Sequence, residues 1–159
     1  MAEITLVDIT RENWRAICAL DPGEEGLKYT GSNSFNMLWG VYEPQWIVKG
    51  ILADGAPVGC ARYGPSRELP GIELIHFMID QRFQGRGYGK AAVRVVAEEM
   101  FRRFGVDTIY LSVDPNNSCA RHIYEAVGFA ATGEKDKHED VFRLKREDLP
   151  GLQDAPKRA

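Results

Sequence analysis

The run GIELIHFMID, residues 71–80, constrains this chain more than any other stretch. It is apolar almost throughout, as a strand is when both of its faces are covered. Such a strand needs other layers on each side, so it commits the chain to a fold built around it. Directly after it comes QRFQGRGYGK, with glycines at 85, 87 and 89, and then the longest helical pattern in the sequence. Ala92, Val93, Val96, Ala97, Met100 and Phe104 recur every three to four residues, while Arg94, Glu98 and Arg102 lie on another face at i, i+4 spacing.

Elements of both kinds flank this unit. EITLVDIT alternates as a first strand, and RENWRAICAL follows as a short helix with Trp14, Ile17 and Cys18 at helical spacing and Thr10 as its N-cap. DPGEEGLKYTG is a loop by its glycines and proline, and SNSFNMLWGVY a second helix. Residues 46–52 and 57–63 form a hairpin about a turn at Asp54-Gly55. After the long helix, DTIYLSV is a strand and NNSCARHIYEAVGF a helix. Its cap is Asn116 or Asn117, its apolar stripe runs through Ala120, Ile123, Tyr124 and Val127, and Gly128 stops it. FAATGE and HEDVFRLKRE close the chain as two strands. The order predicts one mixed α/β domain around a single sheet over residues 1–149, with a loosely ordered tail at 150–159.

Composition narrows the function. A chain of 159 residues suits one domain with a real core. A net charge of −3 argues against nucleic acid as a partner, since a phosphate backbone calls for a basic patch. Cys18, Cys60 and Cys119 make no CxxC pair and no Cys/His cluster, so neither a disulfide framework nor a metal site is expected. MAEITLVDIT has no basic leader, and no run is long enough to span a bilayer. A soluble cytoplasmic protein, associated with no membrane, is the expectation.

The glycines have two readings. One is a tight strand-to-helix turn. The other is a backbone that must come close to a ligand, since glycine tolerates positive φ and leaves no Cβ in the way. A loop of that kind at a helix N-terminus presents free N–H groups and the positive end of the helix dipole, which makes a phosphate cradle. GRGYGK is neither the dinucleotide GxGxxG nor a P-loop. A second constellation follows in NSCARHIYEAVGF, an N-x-x-A-x-x-x-Y-x-x-x-G-F pattern in which Asn117 and Tyr124 stand seven residues apart, two turns of helix, on one face.

QGRGYG, NSCARHIYEAVGF and the strands LIHFMID and IYLSV together resemble the GNAT superfamily of acyl-CoA N-acyltransferases, over roughly residues 70–130. The resemblance implies a single domain whose central, mostly antiparallel sheet is splayed between two central strands and flanked by helices. It implies acetyl-CoA as cofactor. Gln84 stands in the loop motif, and the backbone amides of Gly85, Arg86, Gly87, Tyr88, Gly89 and Lys90 would hold its pyrophosphate. Phe77, Met78 and Ile79 would pair their backbone with its pantetheine arm, and a strand N–H would polarise the thioester carbonyl. Asn117 would bond the cofactor or order its segment, and Ala120 belongs to the same motif. Tyr124 would protonate the departing thiolate. Glu73, eleven residues before Gln84, is the candidate base. Strand alternation puts it on the face of Ile75 and Phe77, with His76 opposite. Cys119, near a helix start, is a small packed residue or, less in keeping with direct transfer, an acyl carrier.

Within the superfamily the pattern is most similar to the spermidine and diamine N-acetyltransferase branch, although a GE pair often found there before the last strand is here His138-Glu139. The implied acceptor is a primary amine on a small molecule, a polyamine or diamine. Asp21, Glu24, Glu25 and Glu43 are candidate carboxylates for its ammonium groups, and Trp39 and Trp46 candidate cation–π surfaces or core residues. A peptide, protein or antibiotic amine is the alternative acceptor, and a non-catalytic acetyl-CoA sensor the alternative class. Relatives often form homodimers, but no seam is legible here.

Overall fold

The apolar run becomes the middle of a seven-stranded sheet. The computed structural model describes residues 1–152. Its strands are β1 (Ile4–Asp8), β2 (Ile47–Ala53), β3 (Ala56–Pro65), β4 (Ile72–Ile79), β5 (Thr108–Val113), β6 (Ala130–Asp136) and β7 (Glu139–Lys145). They lie in the order β1-β2-β3-β4-β5-β7-β6, antiparallel at every step except the parallel pair β4–β5. The helices are α1 (Trp14–Cys18), α2 (Gly23–Leu27), α3 (Asn33–Tyr42), α4 (Tyr88–Phe104) and α5 (Ser118–Val127), with 3-10 turns at Gln81–Phe83 and Arg146–Asp148. Among the described residues no helix is long and apolar enough to cross a membrane.

Both faces of β4 are covered, as its composition requires. Leu74 and Ile79 join the main core with Val93, Val96 and Met100 of α4, and Met78 packs on the other face with Ile17 and Leu20. The hairpin turns where expected: Asp54 and Gly55 have φ of 47° and 80°, the left-handed pair that a two-residue turn needs and that Asp-Gly supplies. Helix α4 is bracketed by two left-handed glycines, Gly87 at its start and Gly105 at its end.

The decisive feature is how little β4 and β5 pair. Their register holds only at Ile72–Ile109 and Glu73–Tyr110. Beyond that the strands part, leaving β4 to Ile79 and β5 to Val113 without each other. The sheet is therefore splayed at its one parallel step.

Several local expectations need correction. DPGEEGLKYTG is not all loop: it contains α2, started by Asp21 Oδ1 accepting from the Gly23 amide at 2.8 Å, with Glu24 and Glu25 in the first turn where the helix dipole favours them. Thr10 does not cap α1. The Asn13 side chain instead accepts from the Thr10 amide at 2.7 Å, and the helix starts at Trp14. A bulge in β4 changes more. Arg62 faces His76 across the ladder and Tyr63 faces Leu74, so Ile75 is an extra residue, and it is exposed. An extra residue reverses the alternation beyond it. Glu73 therefore shares a face with His76 and Arg62, not with Phe77, contrary to the simple count. At the C-terminal end, Leu152 is fully buried in the main core and the Pro150 carbonyl accepts from Arg94, so the first part of the expected loose tail is packed. Its remainder, 153–159, lies outside the described residues.

Candidate active site

The parting of β4 and β5 opens a cavity of about 630 Å³. Leu74, Phe77, Met78 and Ile79 form one wall, Ser112 and Val113 the opposite one, the glycine loop closes one end, and Asn117, Ala120 and Tyr124 of α5 look in from the side. The backbone of β4 points into this slot at defined residues. The Asp80 amide bonds the Val58 carbonyl at 2.8 Å, and with the register Met78–Cys60 this sends the main-chain groups of Met78 toward β3. Alternation then aims those of Phe77 and Ile79 at the open side. The Ile79 carbonyl is taken by Gln84 Nε2 at 2.8 Å, which leaves the Phe77 amide and carbonyl for an extended ligand.

The loop explains its own glycines. Gly85 and Gly87 have φ of 77° and 81°, a conformation that side chains disfavour, and a Cβ built on either would meet nothing within 4 Å. The space in front of both is open. The first helical bond runs from the Ala91 amide to the Gly87 carbonyl at 3.2 Å, so the amides of Gly87, Tyr88, Gly89 and Lys90 have no partner within the helix. Four amides without an intrahelical partner, at the positive end of a seventeen-residue helix, have the chemistry that suits an anion. Gly89 has a different reason: a Cβ there would stand 3.0 Å from Ile123 Cδ1, so its smallness lets α4 lie close to α5. Gln84 Nε2 also donates to the Pro22 carbonyl at 3.1 Å, tying the loop to the α2 segment. Asp80 anchors the same corner. It binds Arg82 and the Asp21 amide, and chiefly the Arg82 hydrogen bond pulls its carboxyl down to about 2. The side chains of Arg86 and Tyr88 are not on the cavity wall: Arg86 stacks on Phe83 and Tyr88 packs against the core. What these two bring to the loop is their amides.

On α5, Asn117 proves to be the N-cap, its Oδ1 accepting from the Ala120 amide at 3.3 Å. Two turns on, the Tyr124 ring meets Phe77 and Phe129 edge-on at 6.5 and 5.9 Å. Its hydroxyl bonds no other described residue, and the residue lines the cavity. Burial, and secondarily the charge of Glu139, pushes the phenol well above its ordinary range, so it stays protonated and able to donate.

Residues 7–129 match the acetyltransferase (GNAT) family. The chain belongs to that family. It is 29% identical over 148 residues to the spermine/spermidine N(1)-acetyltransferase of Bacillus subtilis, covering 89% of this chain and 97% of that one. Among solved structures, spermidine N-acetyltransferase from Vibrio cholerae, in complex with CoA and spermine, superposes with a TM-score of 0.69 at 18% identity, over 91% of this chain and 96% of that one. Aminoglycoside acetyltransferase AAC(6′)-Ib, in complex with coenzyme A, superposes with a TM-score of 0.76 at 17% identity, over 92% and 96%.

The acceptor end of this GNAT site departs further from what the sequence suggests. Glu73 is buried but is not on the cavity wall. It accepts from Ser66 Oγ at 2.5 Å, and burial raises its carboxyl above the ordinary range. His76, on the same face, is held by Asn33 at 2.9 Å and Thr30 at 2.7 Å, and burial lowers its imidazole to about 4. It is a neutral packed histidine. Trp39 and Trp46 offer their rings to the protein's own cation, Arg62, which sits 4.8 and 4.9 Å from their centroids. Trp46 is core, and neither ring faces the cavity. Of the acidic candidates, Glu25 lines the cavity while Asp21, Glu24 and Glu43 do not; Glu43 pairs with Arg67 at 2.9 Å. Two wall residues, Tyr29 and Ser112, escape the sequence reading of the acceptor pocket, and Glu139 enters it only as the acid of the pair before the last strand. Tyr29 reaches across to the Asn116 carbonyl at 3.3 Å, and Ser112 Oγ donates to Glu139 Oε2 at 2.7 Å. A hydroxyl-carboxylate pair 27 residues apart in sequence leaves no local signal. Cys119 is exposed on the same wall.

Proposed function

We propose that this acetyltransferase moves the acetyl group of acetyl-CoA directly onto a primary amine of a small polyamine or diamine such as spermidine. The observation that carries this reading is one cavity with opposite chemistries at its two parts. Unpaired amides of the glycine loop, beside open space at Gly85 and Gly87, suit a pyrophosphate. Glu25, Asp114 and Glu139 make the remaining wall acidic, and Glu139, with which no lysine or arginine among the described residues pairs, suits a cation. Acetyl-CoA supplies an activated thioester. The amides of Gly85 to Lys90 would hold its pyrophosphate, and the Phe77 main chain would pair with its pantetheine. The buried Tyr124 phenol would give its proton to the departing sulfur. Gln84 and Asn117 act on the protein itself, fixing the loop and the start of α5.

The polyamine relatives from Bacillus subtilis and Vibrio cholerae support the same acceptor class. An aminoglycoside, also polycationic, is the second reading, favoured by the AAC(6′)-Ib likeness in fold. Thiol release from acetyl-CoA separates them. Spermidine, spermine and putrescine should be turned over, with aminoglycosides, lysine and short peptides slower. Turnover confined to aminoglycosides or peptides would overturn the polyamine assignment.

A further inference from the structure

Glu139 opens β7 and reaches the cavity wall. Ser112 Oγ on β5 holds its Oε2 at 2.7 Å, and no lysine or arginine among the described residues pairs with it. The other carboxylates of the wall are engaged. Glu25 takes Lys28 at 2.6 Å, and Asp114 takes the Asn116 amide at 2.8 Å and His138 at 3.2 Å. Glu73, turned by the bulge at Ile75, lies off the wall and takes Ser66 Oγ at 2.5 Å. Glu139 is thus the cavity carboxylate whose charge is left for an incoming cation.

We propose that Glu139 holds the acceptor's ammonium group beside the β4–β5 slot and takes its proton, with Ser112 setting the orientation of the carboxylate. This rests on the acetyltransferase reading above. The step balances. The ammonium gives one proton to Glu139, and the freed lone pair forms the carbon–nitrogen bond as the carbon–sulfur bond breaks. Sulfur takes the Tyr124 proton, and the phenolate regains one from the acylated nitrogen. Glu139 releases its proton to solvent, the one proton liberated when an ammonium becomes an amide. The electrostatics agree with this order. The negative charge of Glu139 helps keep the phenol protonated, so neutralising it by the amine's proton eases donation just when the sulfur needs it.

The test uses the full chain and the variants Glu139→Gln, Glu139→Asp and Ser112→Ala. Spermidine binding to the CoA-loaded protein is read by calorimetry, kcat/KM by thiol release, and acetyl-CoA affinity serves as the control for folding. Glu139→Gln should lower kcat/KM for spermidine about 100-fold, the usual size for a lost proton acceptor, and weaken spermidine binding at least roughly 10-fold while acetyl-CoA affinity holds. Glu139→Asp should recover part of the loss, and Ser112→Ala should fall between. Unchanged spermidine binding and turnover in Glu139→Gln would overturn the assignment, and so would an equal loss of acetyl-CoA affinity, which marks a structural role. A wild-type protein that binds acetyl-CoA but acetylates no small amine would instead overturn the function on which the proposal stands.

Discussion

Gly87 and Gly105 sit at opposite ends of one helix, both left-handed, with φ of 81° and 63°. Alanine at either position carries the same backbone penalty, roughly 1–2 kcal/mol for an L-residue in that region. In a chain of this length that lowers Tm by about 2–8 °C. The two differ in what the new methyl would touch. At Gly87 a Cβ meets nothing of the protein within 4 Å, so the methyl would enter open space at the start of the helix. Gly105 closes the far end with its amide on the Phe101 carbonyl at 3.0 Å. Losing one charge-assisted amide contact to a pyrophosphate costs roughly 1.5–3 kcal/mol, or about 10- to 150-fold in affinity. Gly87→Ala should therefore lose that much acetyl-CoA affinity, while Gly105→Ala loses comparable Tm and keeps its affinity. Calorimetric Kd and thermal unfolding of the two variants, side by side, make the comparison. Wild-type affinity in Gly87→Ala, or an equal loss in Gly105→Ala, would refute the idea that these glycines serve an anion.

Tyr124→Phe removes a hydroxyl that bonds no other described residue and keeps the ring contacts with Phe77 and Phe129, so it should leave Tm and acetyl-CoA affinity alone and lower kcat about 100-fold or more; an unchanged kcat would remove Tyr124 from the acid role. His76 is held near 4 by burial, below its unfolded value of 6.5, so the folded state binds fewer protons than the unfolded one between those pH values. Its contribution is whole above pH 6.5 and falls as pH drops toward 4, by about 2 kcal/mol between pH 7 and pH 5. Glu73, with a raised carboxyl, acts in the opposite direction, and Asp80 enters only below about pH 4. The prediction therefore concerns the difference between wild type and His76→Gln in denaturant midpoints at the two pH values; the same pH dependence in both proteins would contradict it. Leu152→Ala should cost about 2–5 kcal/mol in urea unfolding, because the side chain is fully buried in the main core. A loss below about 0.5 kcal/mol would mean that this segment does not hold the fold.

What the sequence could show was local. The apolar run, the glycine loop, the amphipathic α4 and the Asn117 to Tyr124 spacing each lie within a few turns of chain, and their periods mark them. Asp54-Gly55 announced its turn by the same kind of short-range chemistry. The misreadings arose where one position depends on a partner strand. The bulge at Ile75 exists in the pairing of β4 with β3, and it alone turns Glu73 from the Phe77 face to the His76 face. Trp39 of α3 looks available for a ligand cation until Arg62, on β3, comes to rest on it. Ser112 and Glu139 meet only because β7 is laid against β5. Helix α2 hid behind its own glycines: it is five residues long, and Gly23 is needed at φ of 84° to let the chain enter it beside Gln81.

On the proposed function, the splayed slot carries acetyl from CoA to a small cationic amine. Free-thiol release from acetyl-CoA, followed with spermidine, spermine, putrescine, an aminoglycoside, lysine and short peptides, tests it most directly. Turnover with the polyamines that requires Tyr124 is the predicted result. Acetyl-CoA binding with no thiol released by any of these amines would contradict it.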